Sequence, residues 1–163
     1  MRTPTQSVTQ RKIKPSHLYL GAALYRIVHH SNFRHLALLG RNLYVVNNVK
    51  IVLMKYATKR LKQTRKNRVL YRFTFTPNEM QQLLNYAQQP RNEVLVVLVC
   101  RYEAVCLLNW TKFTNLINVN CSKSEWIAVA VRAGCRKRGG MLVSGSTRRR
   151  MPVAHSHFPA IIF

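Results

Sequence analysis

Residues 76–108 read TPNEMQQLLNYAQQPRNEVLVVLVCRYEAVCLL, and this stretch decides the fold class. Thr76 is a good N-cap, Pro77 suits the first helical position, and Glu79 stands where a carboxylate can reach back to complete a capping box. Met80, Leu83, Leu84 and Ala87 then share one helical face, and Gln88-Gln89-Pro90 ends the helix. Val94–Cys100 is the longest apolar run in the chain and has the length of a central strand. Arg101-Tyr102-Glu103 turns it into Ala104–Leu108, its hairpin partner.

Working outward, Ser16 can cap a helix in which Leu20, Ala23, Leu24, Ile27 and Val28 recur at helical spacing, fading near His29–Asn32. Leu43–Val46 and Val49–Met54 flank Asn47-Asn48, and Asn tolerates the left-handed backbone of a tight hairpin turn. Arg72–Thr76 alternates polar and aromatic residues as a further strand, and Lys59–Arg68 before it is too charged to be core. Downstream, Asn109 caps a short helix that buries Trp110, Phe113 and Ile117. Trp126–Val131 is a strand, and Arg136–Gly140 turns it back into Met141–Val143. The pattern predicts an α+β fold: a mixed β-sheet built from hairpins, with two or three packed helices. A basic arm at 1–15 precedes a single domain at 16–147, and a basic, then apolar, irregular tail follows at 148–163.

Charge is the strongest compositional signal. The 163 residues include 27 Lys and Arg, no Asp, and four Glu, for a formal net charge of +23. Such a surface repels itself and favours a polyanionic partner. Seven of the fourteen residues from Lys59 to Arg72 are basic: Lys59, Arg60, Lys62, Arg65, Lys66, Arg68 and Arg72. Arg136-Lys137-Arg138 and Arg148-Arg149-Arg150 are two more clusters, and Arg11, Lys12 and Lys14 a weaker fourth. Tyr56 and Tyr71 bracket the longest cluster and are the candidates for stacking on bases; Phe73 and Phe75 read as core.

The same composition argues against several chemistries. Cys100, Cys106, Cys121 and Cys135 contain no C-x-x-C pair, and the histidines (His17, His29, His30, His35, His155, His157) lack ligand partners at metal spacing. We therefore expect four reduced thiols in an intracellular, reducing compartment, cytoplasm or organelle matrix. No metal, no cofactor and no catalytic residue is expected. Ser144-Gly145-Ser146 is not a nucleophile elbow, and no phosphate-binding glycine motif is present. No run approaches the roughly 18 apolar residues of a membrane span, and Met1–Ser16 has no apolar stretch of a secretory signal.

The hairpin around Asn47–Lys55, with His17–Leu24 as a leading helix, resembles the PD-(D/E)xK, restriction-endonuclease-like nucleases over residues 16 to 110. Lys55 matches that motif's lysine. Asn47 or Asn48 stands where the family has its first acid, and Leu53 where it has the acid of the triplet. The resemblance thus implies a member that has lost the carboxylates needed to hold a cation, kept for binding.

The expectation is a non-enzymatic nucleic-acid-binding protein, RNA preferred over DNA, within a ribonucleoprotein such as a ribosome or mitoribosome, with other proteins of a larger assembly and no membrane as partners. Two further readings stay open: a restriction-like nuclease from a mobile element or defence system, and a basic inhibitor or adaptor docking on an acidic protein surface.

Overall fold

The computed structural model describes residues 12–57, 60–63, 68–132 and 140–163. Helix α1 spans Pro15–Val28, followed by strands β1 (Leu36–Gly40), β2 (Leu43–Val46), β3 (Lys50–Tyr56), β4 (Arg60–Gln63) and β5 (Arg68–Phe75). Helix α2 covers Pro77–Ala87, then come β6 (Glu93–Cys100), β7 (Ala104–Asn109) and helix α3 (Trp110–Leu116). Strands β8 (Glu125–Arg132), β9 (Met141–Gly145) and β10 (Arg150–Val153) precede two 3-10 turns at His155–His157 and Ala160–Ile162. The fold is α+β.

The strands form two sheets where the sequence suggested one. The first, in order β1-β2-β3-β6-β7, is mixed: β3 pairs with β6 in parallel and its other pairs are antiparallel. The second, in order β10-β9-β8-β5-β4, is antiparallel throughout. Strand β1 carried no period that marked it, and β4 lies inside the stretch read as a charged loop.

The unbroken apolar run of β6 has a direct cause: both its faces are covered. Val94, Val96, Leu98 and Cys100 join a core shared with α2, α3 and the inner face of the second sheet. Leu95, Val97 and Val99 join a second core, under Leu20, Ala23 and Ile27 of α1. The tail is not irregular. Strand β10 pairs with β9, and Phe158 and Ile162 complete the second core. The Arg26 guanidinium donates to the Phe158 carbonyl at 3.0 Å and lies 4.8 Å over that ring.

Local signals decide the element ends. Asn47 and Asn48 both have positive φ, 51° and 61°, as the tight β2–β3 turn requires. Helix α1 starts one residue before the expected Ser16 cap, with Lys14 at the N-cap and Pro15 as its first residue. Thr76 and Glu79 close the capping box of α2 reciprocally. Asn109 Oδ1 accepts from the Lys112 N–H at 3.0 Å to start α3. The far end of α3 is held by the β9–β10 turn, where the Thr147 hydroxyl donates to the carbonyls of Asn115 and Leu116 at 2.9 and 3.0 Å. Gly145 permits that approach, because a Cβ there would sit 1.9 Å from the Leu116 carbonyl oxygen.

Candidate nucleic-acid interface

Alternation along β5 separates the two faces of the second sheet. Val69, Tyr71, Phe73 and Phe75 are buried inward, while Leu70 is partly covered and Arg72 and Thr74 lie exposed on the other side. Pairing register extends the outer face in cross-strand rows. Thr74 lies opposite Trp126. In the next row Arg72 faces Ala128, Ala128 faces Ser144, and Ser144 faces Arg150. The third row runs Leu61, Leu70, Ala130, Leu142, Pro152. The last pairs Arg68 with Arg132.

Four arginines therefore stand around one solvent-facing surface. Strand spacing puts Arg72 and Arg150, three strands apart, about 14 Å from each other, and the Arg68–Arg132 pair lies about 13 Å further along the strands. Between Arg72 and Arg150 lie two small residues, Ala128, which is buried, and Ser144, which is half-buried. The Arg72 guanidinium sits 4.5 Å over the Trp126 ring, a cation–π contact that holds it against the sheet.

No carboxylate moderates this charge. All four glutamates of the chain are among the described residues, and none projects from this face. Glu79 pairs with Lys55, and Glu93 with Lys50, at α2 and the start of β6. Glu103 is in the β6–β7 turn, and Glu125 faces Phe75, on the inward side of the register.

The other expected contact residues are scattered. Lys12 and Lys14 are exposed at the start of α1. Of the 148–150 triplet only Arg150 belongs to the face: Arg148 is exposed in the turn, and the Arg149 guanidinium donates to Asn115 Oδ1 at 3.0 Å. Arg60 and Lys62 lie in β4, opposite Tyr71 and Val69. Arg11, Lys59, Arg65, Lys66, Arg136, Lys137 and Arg138 fall outside the described residues, as does Cys135. In sequence, 64–67 adjoins Arg68 and 133–139 adjoins Arg132, the two residues that pair.

Neither stacking candidate lies on this face. Tyr71 is fully buried, because it shares the parity of Phe73 and Phe75, so no base can reach its ring. Tyr56 is stacked on Tyr19 of α1, 5.4 Å between centroids and 5° between planes, and packs against the second core, on the opposite side of the first sheet. Arg132 and Trp126 belong to the face and were not singled out from the sequence: Arg132 sits outside every cluster, and Trp126 reads as one strand residue among others. The signal that could have found both is the period of two along β8.

Lys55 is not a free cation either. Its Nζ donates to both carboxylate oxygens of Glu79, at 2.7 and 2.8 Å, and lies 4.8 Å over the Phe75 ring. Partial burial pushes the Glu79 carboxyl up, but the bonds from Lys55 and Thr76 and the nearby ammonium charge outweigh it, and its pKa is lowered. The pair borders a cleft of about 560 Å³ lined by His17, Arg41, Asn42, Leu53 and Gln82 among others. Where the nuclease resemblance needs an acid two residues before the lysine, Leu53 is buried, 5% exposed. Asn47 is engaged in bonding Arg34, His35 and Asn32 at the far end of the hairpin. Among the described residues named at the cleft, the one carboxylate is already paired with a lysine ammonium. Among the described residues no group of three or more His, Cys, Asp or Glu could hold a metal ion.

No protein-family model matches the chain, and neither does any curated protein or solved structure. Among the described residues no helix is long and apolar enough to cross a membrane.

Proposed function

We propose that this chain is a non-enzymatic nucleic-acid-binding protein that docks on RNA through the outer face of its second sheet, as a structural component of a ribonucleoprotein. The observation that carries the reading is the surface just described: Arg68, Arg72, Arg132 and Arg150 on one sheet face without a carboxylate. Arginines so placed meet phosphate oxygens by charge-assisted bonds and position the protein on a backbone. RNA is favoured over duplex DNA because no described helix suits a major groove. Helix α1 carries one basic residue, Arg26; α2 carries none; α3 carries Lys112.

Crosslinking followed by sequencing of whatever copurifies with the chain at moderate salt tests this. Recovery of RNA joined to peptides of β5, β8 or β10 is expected; no crosslinked nucleic acid would overturn it. Two controls separate the competing readings. Magnesium or manganese should elicit no cleavage of RNA or DNA, and cleavage abolished by Lys55→Ala would favour a nuclease. A partner that stays bound after nuclease treatment would favour docking on an acidic protein.

A further inference from the structure

We infer that the lane between Arg72 and Arg150 takes an unpaired RNA segment, with a base stacked on the Arg72 guanidinium. This rests on the reading of the second sheet as the nucleic-acid face, and adds which form of nucleic acid it takes. A five-stranded sheet is about 19 Å across from first to last strand, wider than the roughly 12 Å major groove of B-DNA. The major groove of paired RNA is narrower still, so an RNA duplex could offer this face its phosphates and the 2′-hydroxyls and base edges of its shallow minor groove, but no base face to stack on.

An unpaired strand can lie flat on it. Arg72 is backed by the Trp126 indole at 4.5 Å and is exposed on its outward side, which presents a planar, charged surface to a base. Beyond it Ala128 is buried beneath its neighbours and Ser144 is half-buried, so the strand would pass over the Arg72 side chain itself, with the Ser144 hydroxyl beside it. Arg150 closes the lane at the edge strand, and Arg68 and Arg132 flank it two rows away. Stacking on one side and charge on the others is the combination that holds single strands without reading their sequence.

The test compares fluorescein-labelled oligouridine with a fully paired RNA duplex of equal length, by anisotropy at fixed salt, on the intact chain. Oligouridine should bind about tenfold tighter or more. Arg72→Lys keeps the charge but removes the plane. It should weaken oligouridine about fivefold or more and the duplex by a smaller factor, because the duplex loses only the fork geometry of one phosphate contact. In a Trp110→Phe background the remaining emission, from Trp126, should change on adding oligouridine. Duplex binding as tight as oligouridine, or an Arg72→Lys protein that binds oligouridine unchanged, would overturn the inference while leaving a backbone-binding role intact. If neither probe binds, both readings fall together.

Discussion

Replacing Arg68, Arg72, Arg132 and Arg150 together by Gln removes four positive charges from one face, and counterion release sets the size of the effect. Each phosphate neutralised on a single strand contributes about 0.7 to the slope of log K against log salt, so the slope should flatten by about 3. At about 0.15 M salt the same relation makes four such contacts worth roughly 200-fold in affinity. The comparison is a second quartet, Arg34, Arg41, Arg91 and Lys123 to Gln. These residues are exposed, lie off the second sheet, and lower the net charge of +23 by the same four. Anisotropy titrations of oligouridine across a salt series give both slopes, and thermal melts report folding. Exposed substitutions cost within about 0.5 kcal/mol each; Arg68 is half-buried and Arg72 also gives up its contact with Trp126, so the first quartet should melt somewhat lower than the second while both remain folded. Equal changes in slope for the two quartets would refute the reasoning, because the affinity would then follow net charge and not this face.

Three more outcomes follow from the packing and titration of particular groups. Gly145→Ala should destabilise by at least about 1–3 kcal/mol, seen as a melting temperature lower by several degrees, since the new Cβ meets a backbone carbonyl at 1.9 Å; an unchanged melt would mean that α3 and β9 separate freely. The Glu79 carboxyl has a lowered pKa in the folded chain, so its contribution is present above the ordinary carboxylate pKa and is lost as pH falls through the folded value. With only four glutamates in the chain, Glu79→Gln should visibly flatten the loss of stability below about pH 5, and an acid-unfolding curve identical to that of the parent would refute the pairing. Burial pushes the Cys100 thiol well up and the Cys106 thiol up to about 12; in a Cys121→Ser, Cys135→Ser protein a thiol reagent at mildly alkaline pH should therefore label nothing until denaturant is added. Rapid labelling of the native form would show that the β6–β7 hairpin opens.

Much of the local structure was legible because local chemistry decides it. Thr76-Pro77-x-Glu79 starts α2 by its own hydrogen bonds, Asn109 starts α3, and the paired asparagines turn the β2–β3 hairpin through their tolerance of positive φ. The partition of β5 was also present in the chain: Tyr71 shares the parity of Phe73 and Phe75, and Arg72 that of Arg68 and Thr74. Reading Tyr71 as a stacking residue gave too much weight to its neighbours in sequence and too little to the period of two. The splitting of the strands into two sheets was not legible, because apolar strands of similar composition carry no mark of which partner they will choose. The ordered tail was missed for a related reason: Phe158 and Ile162 gain their burial from α1 and the first sheet, distant in sequence.

By itself, the sequence determined that this protein would be an α+β fold carrying a large positive charge with almost no acid to offset it. Charge is a sum over residues and needs no coordinates. Where that charge becomes a surface was decided only by the tertiary structure. The row from Arg72 through Ala128 and Ser144 to Arg150 draws on four strands, and nothing but the register of their hydrogen bonds places those residues side by side. The same packing paired Lys55 with Glu79, turned the Arg149 guanidinium toward Asn115, and put Arg132, an isolated cation in the sequence, beside Arg68.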